Sequence, residues 1–248
     1  MGSDETIEAE MEYQKGKEEV MGFGDRVLSV FMAPREAARS LARHPEWIRA
    51  LVVVALVTAV ASVLITRENA EFSREMMASA SRLELTDEQL ARMGEVTTKT
   101  FVSRGVGGVF WAGFSTLLYT LVLLLCGKAT GGQAGFRRVF SMVSYSGLVG
   151  ALGAAVMAAV VRLTGTFPVE TSLGVLAGGS YWSLSRVALG NLEIFWLWQL
   201  VVLTLGLSVM QGFSVGKAAV STVVLFVIRT LVLVGITAAT RGFLGVAY

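Results

Sequence analysis

Histidine, cysteine and aspartate are almost absent from this chain, which has only His44, Cys126, Asp4, Asp25 and Asp87 of these types. Each shortage removes a class of chemistry. A lone cysteine cannot close an intramolecular disulfide. One histidine and one cysteine far apart cannot assemble a metal centre, so neither metal ligands nor a cofactor are expected. An intramembrane serine protease needs a histidine base and an aspartyl protease needs paired aspartates, and neither residue occurs in the long apolar segments. The stretch CGKAT, beginning at Cys126, is only superficially like a phosphate loop. The glycine five residues before Gly127 is missing, and Ala129 follows the lysine. Charge is scarce as well. Charged residues make up 16% of the chain, the formal net charge is +2, and no basic run is long enough to track nucleic acid. The expectation is a chain with no catalytic residue, which is not an enzyme.

What the sequence has in abundance is apolar length. Hydrophobic residues make up 54% and the mean hydropathy is +0.63, outside the range of ordinary soluble domains. A bilayer core of about 30 Å is crossed by about 20 apolar residues in a helix. Five such stretches are present, near 47–66, 105–126, 139–161, 189–210 and 218–240. The fold expected is all-α, an integral membrane bundle of five transmembrane helices. The opening residues, 1–24, form a polar acidic tail where a cleavable signal would be basic and then apolar, so the first span is expected to serve as its own anchor.

The loop GKATGGQAGFRR carries Lys128, Arg137 and Arg138 without an acid, and the QGFSVGK loop carries Lys217. Short basic loops stay in the cytoplasm, which puts the N-terminus inside and, after five spans, the C-terminus outside. Cys126 then closes the second span at its inner end, where an inert interfacial thiol is expected over a palmitoylated one. The outer loop 67–104 carries six basic residues, balanced by acids. It is expected to be helical in two pieces, ENAEFSREMMASASR and LTDEQLARM, the second opening with a capping box at Thr86 and Gln89.

Residues 25–46 read as an amphipathic interfacial segment. Val27, Leu28, Phe31 and Met32 are followed by Ala37, Ala38, Leu41 and Ala42, while Arg35, Arg39 and Arg43 stack on one face at spacings of four. Pro34 suits a first helical turn and Pro45 a stop. The expected contacts are anionic headgroups for the three arginines and the acyl boundary for the apolar edge. Docking to a partner is the alternative for this helix. His44 is expected to be solvated.

Within the third span Ser146, Gly150, Ala154 and Ala158 repeat every four residues, with Gly108 and Ala112 opening a similar stripe in the second. Such stripes let helices approach closely. They serve packing inside the bundle or an interface with a second copy. Tyr181, Trp182, Phe195, Trp196 and Trp198 cluster toward the outer face, with Trp198 and Trp196 expected deeper than the aromatic belt. Arg229 stands in the middle of the fifth span. A charge there costs at least about 2.5 to 3.5 kcal/mol, so it should face protein or water and have a partner. Folding the last two spans into a hairpin about Ser214 brings Arg229 level with Gln199 and leaves Glu193 farther out, about 9 Å along the helix. Gln199 and then Glu193 are the expected partners. This cluster is either a structural lock or part of an ion or substrate path.

Three segments together, VFMAPREAARSLARHPEW before the first span, GGQAGFRRVFSMVSYS entering the third and WLWQLVVLTLGLSVMQGFSVGKAAV at the closing hairpin, resemble the Ypt-interacting (Yip) domain family in its prokaryotic branch. The likeness runs from about Val27 to the C-terminus. Family members often carry a proline soon after the YS of the third span, where this chain has Gly147 and Leu148. The resemblance implies five membrane helices, an internal N-terminus, an external C-terminus and no enzymatic activity. It also implies the bacterial cytoplasmic membrane and an accessory role beside a membrane complex such as an ABC-type exporter. A small transporter and a protein that binds lipid or senses curvature are the alternatives.

Overall fold

The computed structural model describes residues 21–78, 86–177 and 183–244. Most of the acidic tail, residues 1–20, lies outside the described residues, as do Tyr181, Trp182 and Tyr248. Among the described residues the regular elements are helices, with one isolated antiparallel bridge between Ser172 and Glu193. Two short helices, α1 (Phe23–Met32) and α2 (Pro34–Arg43), precede the first span. That span is α3 (Ile48–Leu64), which bends by 64° into α4 (Thr66–Ala78). After α5 (Asp87–Gly94), the second and third spans are the long helices α6 (Thr98–Ala129) and α7 (Phe136–Thr164). A 3-10 turn, Leu173–Ala177, leads to α8 (Leu184–Gly190), α9 (Ile194–Gln211) and α10 (Val215–Leu244). Four of these helices are long and apolar enough to cross a membrane, and the bent pair α3–α4 is a fifth when counted as one broken span. The chain is an integral membrane protein with multiple spans.

The ends of the elements follow local chemistry. Pro34 opens α2, where its missing N–H is no loss, and the chain leaves the helix at His44 before Pro45. Thr86 caps α5, its hydroxyl accepting from Gln89 N while Gln89 Oε1 accepts from Thr86 N, the box expected from the sequence. The turn before α7 is held by Gln211, whose Oε1 accepts from Ala134 N at 2.9 Å. Gly127 and Gly132 leave room for that amide: a Cβ at either would stand 2.3 Å from it.

Small residues set how closely the spans approach. A Cβ at Gly108 of α6 would lie 2.9 Å from the Ala59 Cα of α3, so backbone meets backbone there. On α7 the stripe divides between neighbours. Ser146 and Gly150 lie against Gln199 of α9, Ala154 lines an internal cavity, and Ala158 lines a crevice beside α3. Gly153, outside that spacing, receives Phe195, whose ring a Cβ would meet at 2.7 Å.

The α1–α2 pair packs part of its apolar edge on the bundle. Val30, Ala37, Ala38 and Leu41 are fully buried, because α2 packs along α9 and both helices reach α7. Protein covers that part of the apolar edge, while Leu28 and Met32 stay exposed. The pair is closed by Arg26, which is 3% exposed and donates to Ser40 Oγ at 3.0 Å and to Glu46 Oε2 at 2.9 Å. Phe23 meets Tyr145 and Phe31 meets Trp198 edge to face. Arg35, Arg39 and Arg43 remain exposed on the far side.

Candidate functional site

Arg229 lies halfway along α10 and is half-buried. The sequence places Gln199 as its first partner, but the structure gives it Asn191: Arg229 Nη1 donates to Asn191 Oδ1. Asn191 is 3% exposed and is held in turn by Val187 O, 3.1 Å from its Nδ2. Gln199 is buried on another side, where its Nε2 donates to Ser146 Oγ at 3.3 Å. The register of α9 against α7 therefore decides Gln199, while α8 supplies the partner of Arg229.

Asn191 becomes available because the fourth span is α9 alone, beginning at Ile194, and the short α8 before it is a separate helix. The expected continuous run over 189–210 is broken at Asn191–Glu193, between α8 and α9. Glu193 caps α9, accepting from Phe195 N at 3.1 Å and Trp196 N at 2.8 Å. A carboxylate suits that position because it meets the unpaired N–H groups and the positive end of the helix. The carbonyl of Leu192, freed by the break, accepts from Leu173 N at 3.3 Å, and the Ser172 bridge to Glu193 continues that pairing. Such a break is stable at membrane depth only where protein or a polar cavity surrounds it.

A cavity does adjoin it. The space, of about 250 Å³, lies among α3, α6, α7, α9 and α10, and its walls include Thr58, Thr116, Glu193, Trp196, Gln199 and Arg229. The three residues singled out from the sequence thus share one cavity, without direct bonds between Arg229 and the other two. The guanidinium lies 4.5 Å from the centre of the Trp196 ring, a cation–π arrangement, and Tyr119 packs on the same ring at 5.3 Å. Tyr119 and Arg229 line the same cavity. Trp196 is 6% exposed, whereas Trp198 is at the bundle surface. The helical period explains that difference, since 196, 199, 203 and 206 share the inward face of α9 and 198 does not.

Sequence reasoning missed Asn191, Tyr119 and the role of Trp196. The dipeptide Gly190–Asn191 inside an apolar run was the available signal, because it favours a turn. Tyr119 carried none, being one aromatic among many in α6. Among the described residues no cluster of three or more metal-ligating side chains occurs.

The chain matches the Yip1 domain over residues 28–237. It is similar to "Membrane protein YknW" of Bacillus subtilis (strain 168), 27% identical over 203 residues that cover 81% of this chain and 84% of the relative. No solved structure matches. The chain belongs to the Yip1 domain family.

Proposed function

We propose that this Yip1-family protein is a non-enzymatic organiser of a larger membrane complex, with an ABC-type exporter as the expected partner. The observation that carries this reading is the docked α1–α2 pair. A helix that works by inserting into lipid needs a free apolar face. Here Val30, Ala37, Ala38 and Leu41 are buried against the bundle, only Leu28 and Met32 of the apolar edge stay exposed, and Arg35, Arg39 and Arg43 face outward. What remains is a fixed basic platform, suited to an acidic surface on a neighbouring protein. The basic loops with Lys128, Arg137, Arg138 and Lys217 support a cytoplasmic location for that platform and for the N-terminus, with the C-terminus outside. The bacterial relative supports the cell membrane as its location.

The test is co-purification of the tagged full chain from its native membrane in mild detergent. The expected result is a stoichiometric membrane partner with wild type, lost when Arg35, Arg39 and Arg43 are all changed to glutamine. A folded, monodisperse wild-type protein that retains no partner would sink the proposal. A single cysteine at position 138 in a Cys126→Ala background tests orientation. It should react with an impermeant maleimide only after the membrane is opened.

The small-transporter reading keeps one observation in its favour: a break between helices at Asn191–Glu193, at the start of the fourth span and beside a polar cavity. Flux into proteoliposomes that Arg229→Leu abolishes, with the fold intact, would favour it over the organiser reading.

A further inference from the structure

The cavity carries more donor capacity than its walls use. Trp196 lines it and is only 6% exposed, yet its indole N–H has no partner among the described residues. Buried donors in native proteins are normally met, so this one marks a place for an acceptor. Arg229 adds a formal positive charge to the same wall, with no carboxylate within 4.0 Å among the described residues. The carboxylate that shares the cavity, Glu193, is engaged by two backbone N–H groups at the start of α9. Tyr119 lines the same cavity. One positive charge and an unmet N–H suit a head with one negative charge.

The cavity also has an apolar neighbour. A groove between α6 and α10 is lined by Phe114, Leu118, Val122, Leu225, Ile228 and Leu233, and it shares Trp111, Ser115, Tyr119 and Arg229 with the cavity wall. Ile228 is 39% exposed and Leu118 43%, so the groove faces the lipid side of the bundle. Polar space and apolar groove therefore meet at Arg229.

We propose that this pair of spaces binds a monoanionic amphiphile, its head at Arg229 and Trp196 and its chain along the α6–α10 groove. The head is a phosphodiester or a carboxylate. The first would come from a membrane phospholipid and the second from a free acid. This site is independent of the basic platform on α2, so it can stand or fall without the organiser reading.

The test uses the delipidated full chain in a neutral detergent, titrated with dioctanoyl phosphatidylglycerol, laurate, dioctanoyl phosphatidylcholine and inorganic phosphate. Saturable binding of phosphatidylglycerol or laurate is expected, one per chain, and whichever binds identifies the source of the head. Phosphatidylcholine and inorganic phosphate should bind about tenfold more weakly or worse, lacking net charge or a chain. Arg229→Leu should weaken binding about tenfold or more, and Trp196→Phe, which keeps the ring and removes the N–H, about threefold to fivefold. Leu118→Trp should block the groove without touching the head site. The proposal is overturned by absence of saturable binding to either anion, by equal affinity for phosphatidylcholine, or by undiminished affinity in Arg229→Leu and Trp196→Phe. Should Arg229→Leu fail to fold, undiminished affinity in both Trp196→Phe and Leu118→Trp overturns it equally.

Discussion

Two arginines in this protein, one buried and one half-buried, are handled in opposite ways. Arg26, at the base of the α1–α2 pair, has a carboxylate at 2.9 Å and a hydroxyl at 3.0 Å. Arg229, halfway along α10, has a neutral amide, an aromatic face and a cavity. The first arrangement is closed, because its charge is spent on holding two helices and the start of α3 together. The second leaves charge directed at open space. Removing a partner should hurt the closed site most, since an unpaired buried charge is left behind, while the open site has less to lose.

That difference can be broken by mutation. The largest effect is expected for Glu46→Leu, which strands Arg26 and should cost about 3–5 kcal/mol in thermal unfolding in detergent. The double change Arg26→Met with Glu46→Leu should recover most of the loss, because no orphaned charge remains. Next comes Gly153→Ala, where the new Cβ meets the root of the Phe195 ring, not a flexible tip. It should cost about 1–3 kcal/mol, and would show that packing, not ion pairing, holds the cavity region.

Arg229→Leu should change stability by only about 1 kcal/mol. The orphaned Asn191 oxygen is offset by removal of a charge from the membrane interior. A loss as large as that of Glu46→Leu would erase the distinction between the two sites. The smallest effect, within about 0.5 kcal/mol, is expected when Arg35, Arg39 and Arg43 become glutamine, since all three are exposed. Unfolding of the triple variant together with partner loss would make the platform structural.

Much of the architecture was legible in the residues. The spans at 105–126, 139–161 and 218–240 lie inside α6, α7 and α10, which extend beyond them at both ends. The reason is that hydropathy reports the apolar part, while the helices continue into polar flanks. Arg229, Gln199 and Glu193 were recognisable because polar groups are conspicuous in apolar runs, and the cavity gathers all three. Their bonding was not legible. Whether Arg229 reaches Gln199 or Asn191 depends on rotations and offsets between helices, which a depth count along a hairpin does not contain. The covered edge of α1–α2 was hidden for a related reason: an amphipathic pattern requires an apolar surface opposite it, and lipid and protein satisfy that requirement equally.

The sequence by itself determined that the chain lives in a membrane, where its long apolar helices run and where α5 begins. These follow from local quantities: apolar length against bilayer thickness and a capping pair three residues apart. Only the tertiary structure decided that the fourth span begins at Ile194 after a break at Asn191–Glu193, that Arg26 locks the first helices to the bundle, and that Arg229 faces a cavity beside a lipid-side groove. Each of these requires groups distant in sequence to meet. Leu173 must reach the freed carbonyl of Leu192, Glu46 must reach Arg26, and α6 must stand beside α10.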